Sequence, residues 1–206
     1  PAYDSALLMT EMGLFRDWYC QAHLGLELDD AQQAMMQQSF ELLRDAALEQ
    51  PAVPVHRDYH SRNLMIIEGT DEAALIDFQD AVMGPVTYDL VSLLRDCYIA
   101  WPQALVHEWA LDYAHKARQA GTMQQTDDTE FLRWFDLMGL QRHLKAIGIF
   151  ARLNHRDGKS AYLDDIPRTL NYVKDVARRY PELAGFSQWL ESTSLETQSL
   201  NTQVHS

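Results

Sequence analysis

The chain has 206 residues, of which 47% are hydrophobic and 23% are charged, so it is long enough for one globular domain with a sizeable core. Its formal net charge of −13 and isoelectric point near 4.9 repel nucleic acid and anionic membrane surfaces, and neither is expected as a partner. Its two cysteines offer neither a disulfide framework nor a zinc-binding spacing, and no signal peptide or transmembrane run is recognisable, so a cytoplasmic protein is expected.

Two helices are predicted in the first fifty residues. Apolar residues recur at intervals of three or four over residues 5–24, with Ser5 as the capping residue and Glu11 on the opposite, solvated face. A second helix is predicted from residue 29 or 30 to about residue 49, because its apolar residues form one stripe.

Three polar residues at fixed separations stand out in the segment 55–80, namely Asp58, Asn63 and Asp77. A phosphoryl donor arrives as a polyphosphate with magnesium, so a protein that uses it needs oxygen ligands for the metal and one carboxylate near the attacking hydroxyl. Asp58 is the candidate for that catalytic carboxylate. Asn63 and Asp77 are the candidate metal ligands.

A β-hairpin is predicted between these residues. Residues 64–67 and 73–76 form two short apolar runs, and the turn-forming cluster 69–71 joins them. Because such a hairpin folds back on itself, it brings Asn63 next to Asp77.

The remainder of the chain is predicted to be helical, which makes the fold class mainly α with a small β-hairpin. A turn at 83–85, a polar link at 126–129 and a short connection at 162–166 separate the helices, and the region 191–206 is expected to be a flexible polar tail. The longest helix is expected to bend near Gly139 or Gly148, because glycine weakens a helix interior. The predicted helices span residues 87–100, 103–120, 131–153, 167–179 and 182–190.

The catalytic stretch resembles a known superfamily. The run His-Arg-Asp at 56–58 with Asn63, followed by Asp-Phe at 77–78, is similar to the catalytic and metal-binding segments of protein-kinase-like enzymes. The runs 76–81 and 84–90 are similar to the aminoglycoside phosphotransferase and choline kinase branch of that superfamily. The resemblance implies a protein-kinase-like C-terminal lobe over residues 1–190, with ATP and Mg²⁺ as cofactors.

Two further runs narrow the resemblance. Residues 56–65 together with 89–96 most resemble bacterial anomeric amino-sugar kinases that act on N-acetylmuramate and N-acetylglucosamine. The implied reaction transfers a phosphoryl group to the anomeric hydroxyl of a small sugar. Aminoglycoside, choline and homoserine kinases share the motifs and stay open as alternatives.

The resemblance also implies supporting residues. His56 would brace the catalytic loop, and Asp89 would hold its backbone. For Asp89, an ordinary first-turn aspartate favoured by the helix dipole is the open alternative.

Four residues are candidates for contact with the substrate. His60 and Arg62 lie inside the loop, and Arg142 and His143 lie in the cation-rich stretch 141–145. Simple exposure to solvent is the alternative for each of them.

The glycines bear on the rest of the protein. The nine glycines never come closer than nine positions, so this chain contains no glycine-rich phosphate loop. We therefore expect the nucleotide-binding N-terminal lobe to lie outside this chain, which alone would be inactive. Two readings from other classes stay open: a non-catalytic kinase-like binding fragment, and a zinc hydrolase built on His56, Asp58 and His60.

Overall fold

The computed structural model describes residues 2–67, 69–70, 73–123 and 126–193. Most of the predicted flexible tail, residues 194–206, and the end of the predicted turn at 69–71 lie outside the described residues. The described part of the chain is mainly helical with two small antiparallel sheets, so the predicted fold class is confirmed. Its helices are α1 (Ser5–Leu14), α2 (Asp30–Leu48), α3 (Tyr88–Leu94), α4 (Gln103–Gln119), α5 (Asp128–Asp157), α6 (Ile166–Ala177) and α7 (Ala184–Ser192). Its strands are β1 (Ala52–Val55), β2 (Leu64–Ile66), β3 (Ala73–Leu75) and β4 (Val82–Pro85).

Helix α1 differs from its prediction in two respects. The side chain of Asp4, and not that of Ser5, caps it by accepting a hydrogen bond from the backbone N–H of Leu7 at 2.9 Å. Glu11 is buried at 5% exposure, so its predicted solvated position is wrong. From Phe15 to His23 the helix continues in π-helical turns. The helix and these turns together cover nearly all of the predicted range, 5–24.

Helix α2 agrees with its prediction. The side chain of Asp29 accepts a hydrogen bond from the N–H of Gln32, and the Gln32 side chain accepts one from the N–H of Asp29, which forms a capping box.

The predicted hairpin is present as β2 and β3, with Leu64 opposite Leu75. The prediction of a turn at 83–85 is wrong, because these residues belong to β4, which pairs with β1. Gly84 is required there for space: a Cβ at this position would lie 2.8 Å from a methyl carbon of Val55. Glycine next to proline was a misleading turn signal for this reason.

Helix α3 ends at Leu94, not near residue 100 as predicted. The carboxylate of Asp96 accepts hydrogen bonds from the backbone N–H groups of Ser61 and Tyr98 and from the Ser61 hydroxyl, at 2.6 to 3.0 Å. The chain leaves the helix at Arg95 because these contacts draw the following segment to the loop before β2.

Helix α5 is the central element of the fold. It packs against α1, the π-helical turns, α2, α3, α4 and α6. The helix begins at residue 128, within the predicted polar link, because Asp127 caps it through the N–H of Glu130. It is continuous through Gly139 and Gly148, and a Cβ at Gly148 would lie 2.4 Å from the carbonyl carbon of Leu14, so this glycine allows α1 and α5 to pack closely.

The last helices follow the predicted order. A 3₁₀ turn over Ser160–Asp165 precedes α6, and another over Pro181–Leu183 precedes α7. In the part of the chain that the structure describes, no helix is long and apolar enough to cross a membrane.

Candidate active site

The loop between β1 and β2 is fixed by a carboxylate of α3. Asp89 accepts hydrogen bonds from the backbone N–H groups of His56 at 2.6 Å and of Arg57 at 3.1 Å. Charge-assisted hydrogen bonds of this kind are shorter and stronger than neutral ones. The backbone that precedes Asp58 is therefore held in place, and the side chain of Asp58 is exposed.

Backbone strain marks two residues of the site. Within the described residues, the non-glycine residues with a positive φ are Arg57, at 76°, and Asp77, at 69°. Such conformations persist only where the surroundings enforce them, and they concentrate at functional sites. One of the two immediately precedes Asp58, and the other is itself a candidate metal ligand.

Contacts between the loop and the hairpin bring the three key residues together. The backbone N–H of Ile76 donates to the carbonyl of Asn63 at 3.2 Å, and the His56 ring contacts the Ile76 carbonyl through Nε2 at 3.0 Å. The side-chain amide of Asn63 donates to the carbonyl of Asp58 at 3.0 Å. Asp77, next to Ile76, is therefore held beside the loop that carries Asp58 and Asn63.

The side chains of Asn63 and Asp77 fit a magnesium ion. The amide nitrogen of Asn63 is engaged with the loop, which leaves the amide oxygen for a ligand. The exposed Asp77 carboxylate accepts one hydrogen bond, from Nε2 of Gln79 at 2.6 Å. Magnesium is usually held by one or two protein oxygen ligands together with waters and substrate phosphates. These two residues have the donor atoms for that role.

A pocket of about 150 Å³ opens beside Asp58. The loop, the segment after α3, and α5 each contribute to its walls. Four of its lining residues carry a positive charge and two carry a carboxylate. The charged lining residues are Arg57, Asp58, Arg95, Asp96, Arg142 and Lys145.

Three of the four cations form an ion pair with a carboxylate, and two of them share Glu11. Glu11 pairs with Arg57 at 3.0 Å and with Lys145 at 2.8 Å, and Arg95 pairs with Asp136. Although burial alone raises the pKa of Glu11, the attraction of Lys145 and hydrogen bonds from Lys145 and Tyr3 hold this pKa below its usual value.

Arg142 is the exception among these cations. Its guanidinium donates to the carbonyl of Arg57 at 3.2 Å and to the hydroxyl of Ser92 at 2.6 Å, and it lies over the ring of Tyr88. Among the described residues, it forms no ion pair with a carboxylate. The pocket therefore has one cation that forms no direct ion pair within the described part of the chain.

His143 lies deeper in the same wall, at 2% exposure. Its Nε2 contacts the carbonyl of Arg95 at 3.0 Å, and its ring stacks on Tyr172. Burial lowers the pKa of His143 to about 3, so the ring is neutral at physiological pH. For both Arg142 and His143, the alternative of a solvated helix face is wrong.

The two candidates in the loop have different surroundings. His60 lines the pocket, and burial lowers its pKa. Arg62 is exposed, and its guanidinium carbon lies 3.5 Å from the centre of the Tyr98 ring. Tyr98 also meets the ring of His60 edge to face, so it supports both side chains.

Two residues of the site were missed by sequence reasoning. Glu11 gave no signal, since a charged residue on an amphipathic helix is usually solvated. Asp96 lies within the run that resembles amino-sugar kinases, so its place next to Ser61 was detectable only as part of that run.

The structure disfavours a zinc hydrolase built on His56, Asp58 and His60. Nε2 of His56 contacts the carbonyl of Ile76 and is therefore not free to bind a metal ion. In the described part of the chain, no three His, Cys, Asp or Glu side chains are grouped so that they could hold a metal ion.

The chain thus forms a mainly helical lobe that holds an Asp-bearing loop against a small hairpin. This is the arrangement of the C-terminal lobe of a protein-kinase-like fold. Residues 1–135 match the Phosphotransferase enzyme family, and the chain belongs to that family. The sequence resemblance to aminoglycoside phosphotransferases is thereby confirmed.

Curated relatives agree with this assignment. The chain is 52% identical over 184 residues to the N-acetylmuramate/N-acetylglucosamine kinase of Pseudomonas putida. The aligned residues make up 89% of this chain and 54% of that relative. A protein of the same description from Pseudomonas aeruginosa is 49% identical, over 93% of this chain and 56% of its own length. Another, from Neisseria meningitidis, is 48% identical, over 89% of this chain and 54% of its own length. The chain thus spans about half the length of the curated relatives that it matches.

A solved structure shows the same fold. The ethanolamine kinase of Plasmodium vivax superimposes with a TM-score of 0.56 over 90% of this chain and 50% of that chain, at 14% sequence identity.

Proposed function

We propose that the complete protein transfers the γ-phosphoryl group of ATP to the anomeric hydroxyl of N-acetylmuramate or N-acetylglucosamine. The observation that carries this proposal is the pocket beside Asp58, in which the positively charged Arg142 forms no ion pair with a carboxylate of the described residues. A neutral sugar or a lactyl carboxylate is compatible with that charge, whereas the cationic choline and aminoglycosides are disfavoured by it. The descriptions of the three relatives support the same acceptors.

Each residue of the site has a role in this proposal. Asp58 orients the acceptor hydroxyl and accepts its proton, while Asn63 and Asp77 hold Mg²⁺. Mg²⁺, when bound, neutralises charge on the phosphates of the nucleotide. The protein supplies position and electrostatic complementarity, which are the main contributions to phosphoryl-transfer catalysis.

The remaining candidates support the loop and bind the acceptor. Asp89 and His56 fix the loop backbone. His60 and Arg142 face the acceptor directly. Arg62 borders the pocket through Tyr98, and neutral His143 holds the pocket wall by its contact with Arg95.

The complete protein is also proposed to contain a nucleotide-binding lobe that packs on the hairpin. Apolar side chains of β2, β3 and the residues just after β3 lie uncovered, and Ile66 and Phe78 are 87% and 70% exposed. Exposed apolar surface of this kind marks an interface. The matches cover only 54% and 56% of two of the curated relatives, whose remaining residues give room for such a lobe.

The test is ATP consumption with magnesium by the complete protein and by this 206-residue chain. The acceptor panel is N-acetylmuramate, N-acetylglucosamine, kanamycin, choline and homoserine. Turnover that depends on an amino sugar, and only in the complete protein, is the expected result. Preference for a cationic acceptor would overturn the assignment of the substrate, and binding of nucleotide without turnover would favour a non-catalytic fragment.

Substitution of the proposed base separates chemistry from binding. In the complete protein, Asp58→Asn should lower kcat at least about 100-fold while the affinity for Mg²⁺-ATP is kept, because the amide cannot accept the proton. The control is Asp112→Asn, which alters an exposed carboxylate of α4 paired with Lys116. Near-normal turnover of Asp58→Asn would remove Asp58 from its role.

A further inference from the structure

Arg57 is held in its left-handed conformation from three sides. Its N–H donates to Asp89 at 3.1 Å, its carbonyl accepts from Arg142 at 3.2 Å, and its guanidinium donates to Glu11 at 3.0 Å. A φ of 76° is unfavourable for any residue with a Cβ, whereas glycine adopts it freely. The structure therefore places a strained arginine at a position where glycine would be conformationally relaxed.

Glu11 is the fixed point of this arrangement. Its carboxylate is buried and receives hydrogen bonds from the hydroxyl of Tyr3, the ammonium of Lys145 and the amide of Gln141, besides the guanidinium of Arg57. These donors come from the chain before α1, from α5 and from the catalytic loop. A carboxylate held from so many sides cannot move to follow Arg57, so Arg57 must adapt to it.

The consequence of this constraint reaches Asp58. The ψ of Arg57 and the φ of Asp58 flank one peptide group, and the carbonyl of that peptide is the one that Arg142 contacts. Fixing Arg57 at its side chain and at both of its backbone polar groups therefore fixes the direction in which the chain enters Asp58.

We propose that Glu11 is a positioning residue, which sets the orientation of Asp58 by holding Arg57 in the left-handed conformation. This inference rests on the proposed role of Asp58. It assigns to α1 a part in catalysis, and it accounts for a buried carboxylate that no step of the reaction uses.

The test compares Arg57→Ala, Arg57→Gly and Glu11→Gln in the complete protein, with Glu182→Gln as a matched control that weakens the exposed pair between Arg133 and Glu182. We expect Arg57→Ala to lower kcat about 100-fold and Arg57→Gly to lower it only about tenfold, because glycine keeps the backbone geometry. A purely structural ion pair would lower the unfolding free energy of these variants but leave kcat per folded molecule unchanged, so unfolding is measured beside turnover.

The double variant completes the cycle. If Glu11 acts through Arg57, Glu11→Gln should lower kcat about tenfold in the wild type and hardly at all in the Arg57→Gly background. Equal losses in both backgrounds, or an Arg57→Gly variant no better than Arg57→Ala, would overturn the proposal.

A second measurement needs no turnover. Amide hydrogen exchange over residues 56–60 should be faster in Glu11→Gln than in the wild type and unchanged by the same substitution in the Arg57→Gly background. Unchanged exchange in both backgrounds would also overturn the proposal. If the wild type consumes no ATP with any acceptor, the proposed function fails, and exchange alone decides whether Glu11 orders the loop.

Discussion

At the scale of single residues, two carboxylates hold the two ends of the candidate catalytic loop. Asp89 lies in the first turn of α3, and Asp96 lies just after the helix. Asp89 binds the N–H groups of His56 and Arg57, and Asp96 binds the N–H and hydroxyl of Ser61. The separation of these two anchors is fixed by the short helix and its end. The loop therefore takes its shape from α3 and from the residues just after it.

Removing one anchor should loosen the loop. Asp96→Asn keeps the size of the side chain but replaces one acceptor oxygen by a donor, so we expect unfolding free energy to fall by about 1–3 kcal/mol. Urea denaturation of this chain measures the change, with Asp112→Asn as the surface control. A loss no larger than that of the control would show that Asp96 does not anchor the loop.

The buried ring of His143 predicts a dependence of stability on pH. Its pKa is about 3 in the folded protein and 6.5 ordinarily. Below about pH 6.5 the unfolded chain binds a proton at this ring and the folded chain does not, so the stability that the neutral ring contributes is present above that pH and lost as the pH falls. The loss from this residue should reach at most about 2 kcal/mol at pH 5.

The variant that tests this is His143→Gln, which does not titrate and keeps a donor for the carbonyl of Arg95. Its unfolding free energy should decline less than that of the wild type between pH 7 and pH 5, whatever its stability at pH 7. The other histidines contribute equally to both proteins. Parallel pH profiles would contradict the buried, neutral state of His143.

At the scale of secondary structure elements, the crossing of α1 and α5 depends on Gly148. Gly148→Ala places a Cβ 2.4 Å from the carbonyl carbon of Leu14, and backbone cannot yield as a side chain can. We expect a loss of about 1–3 kcal/mol or more in unfolding free energy. Denaturation with urea would reveal it, and an unchanged midpoint would mean that the helices lie farther apart.

Gly185 provides the matched control within α7. A Cβ there meets only the side chain of Met35, at 3.5 Å, which is ordinary contact. Gly185→Ala should therefore be neutral or stabilising by about 0.5–1 kcal/mol, because alanine favours a helix over glycine.

The same elements show what sequence reasoning can and cannot predict. Periodicity predicted the helices, and two short apolar runs joined by a turn-forming cluster predicted the hairpin between Asn63 and Asp77. The strand pair of β1 and β4 was missed, because pairing between segments thirty residues apart leaves no local signal and Gly84 resembled a turn. The burial of Glu11 and His143 was missed for a similar reason, since it depends on partners from other elements.

At the scale of the whole molecule, the hairpin presents an apolar face that the described part of the chain leaves uncovered. Ile66 is its most exposed side chain, and Met65 and Phe78 lie in the same region. We expect this chain alone to self-associate through that face, because large exposed apolar surfaces favour association.

Ile66→Thr tests this expectation, since threonine keeps the preference for a strand and removes apolar surface. Light scattering by the isolated chain should decrease, whereas Leu48→Thr, at an exposed apolar residue of α2 outside the hairpin, should leave it unchanged. In the complete protein, Ile66→Thr should instead weaken the packing of the proposed nucleotide-binding lobe on the hairpin. An equal response to both substitutions would show that the hairpin is not a specific interface.

Helix α5 has two structural roles, one in the packing of the core and one in the wall of the pocket. It is the central packing element of the lobe, and it also supplies Arg142 and His143 to the wall of the pocket. Substitutions of these residues that change the proposed acceptor preference therefore risk unfolding the protein. In evolution, or in a selection for new acceptors, we expect changes to accumulate first at Arg62, whose side chain is exposed.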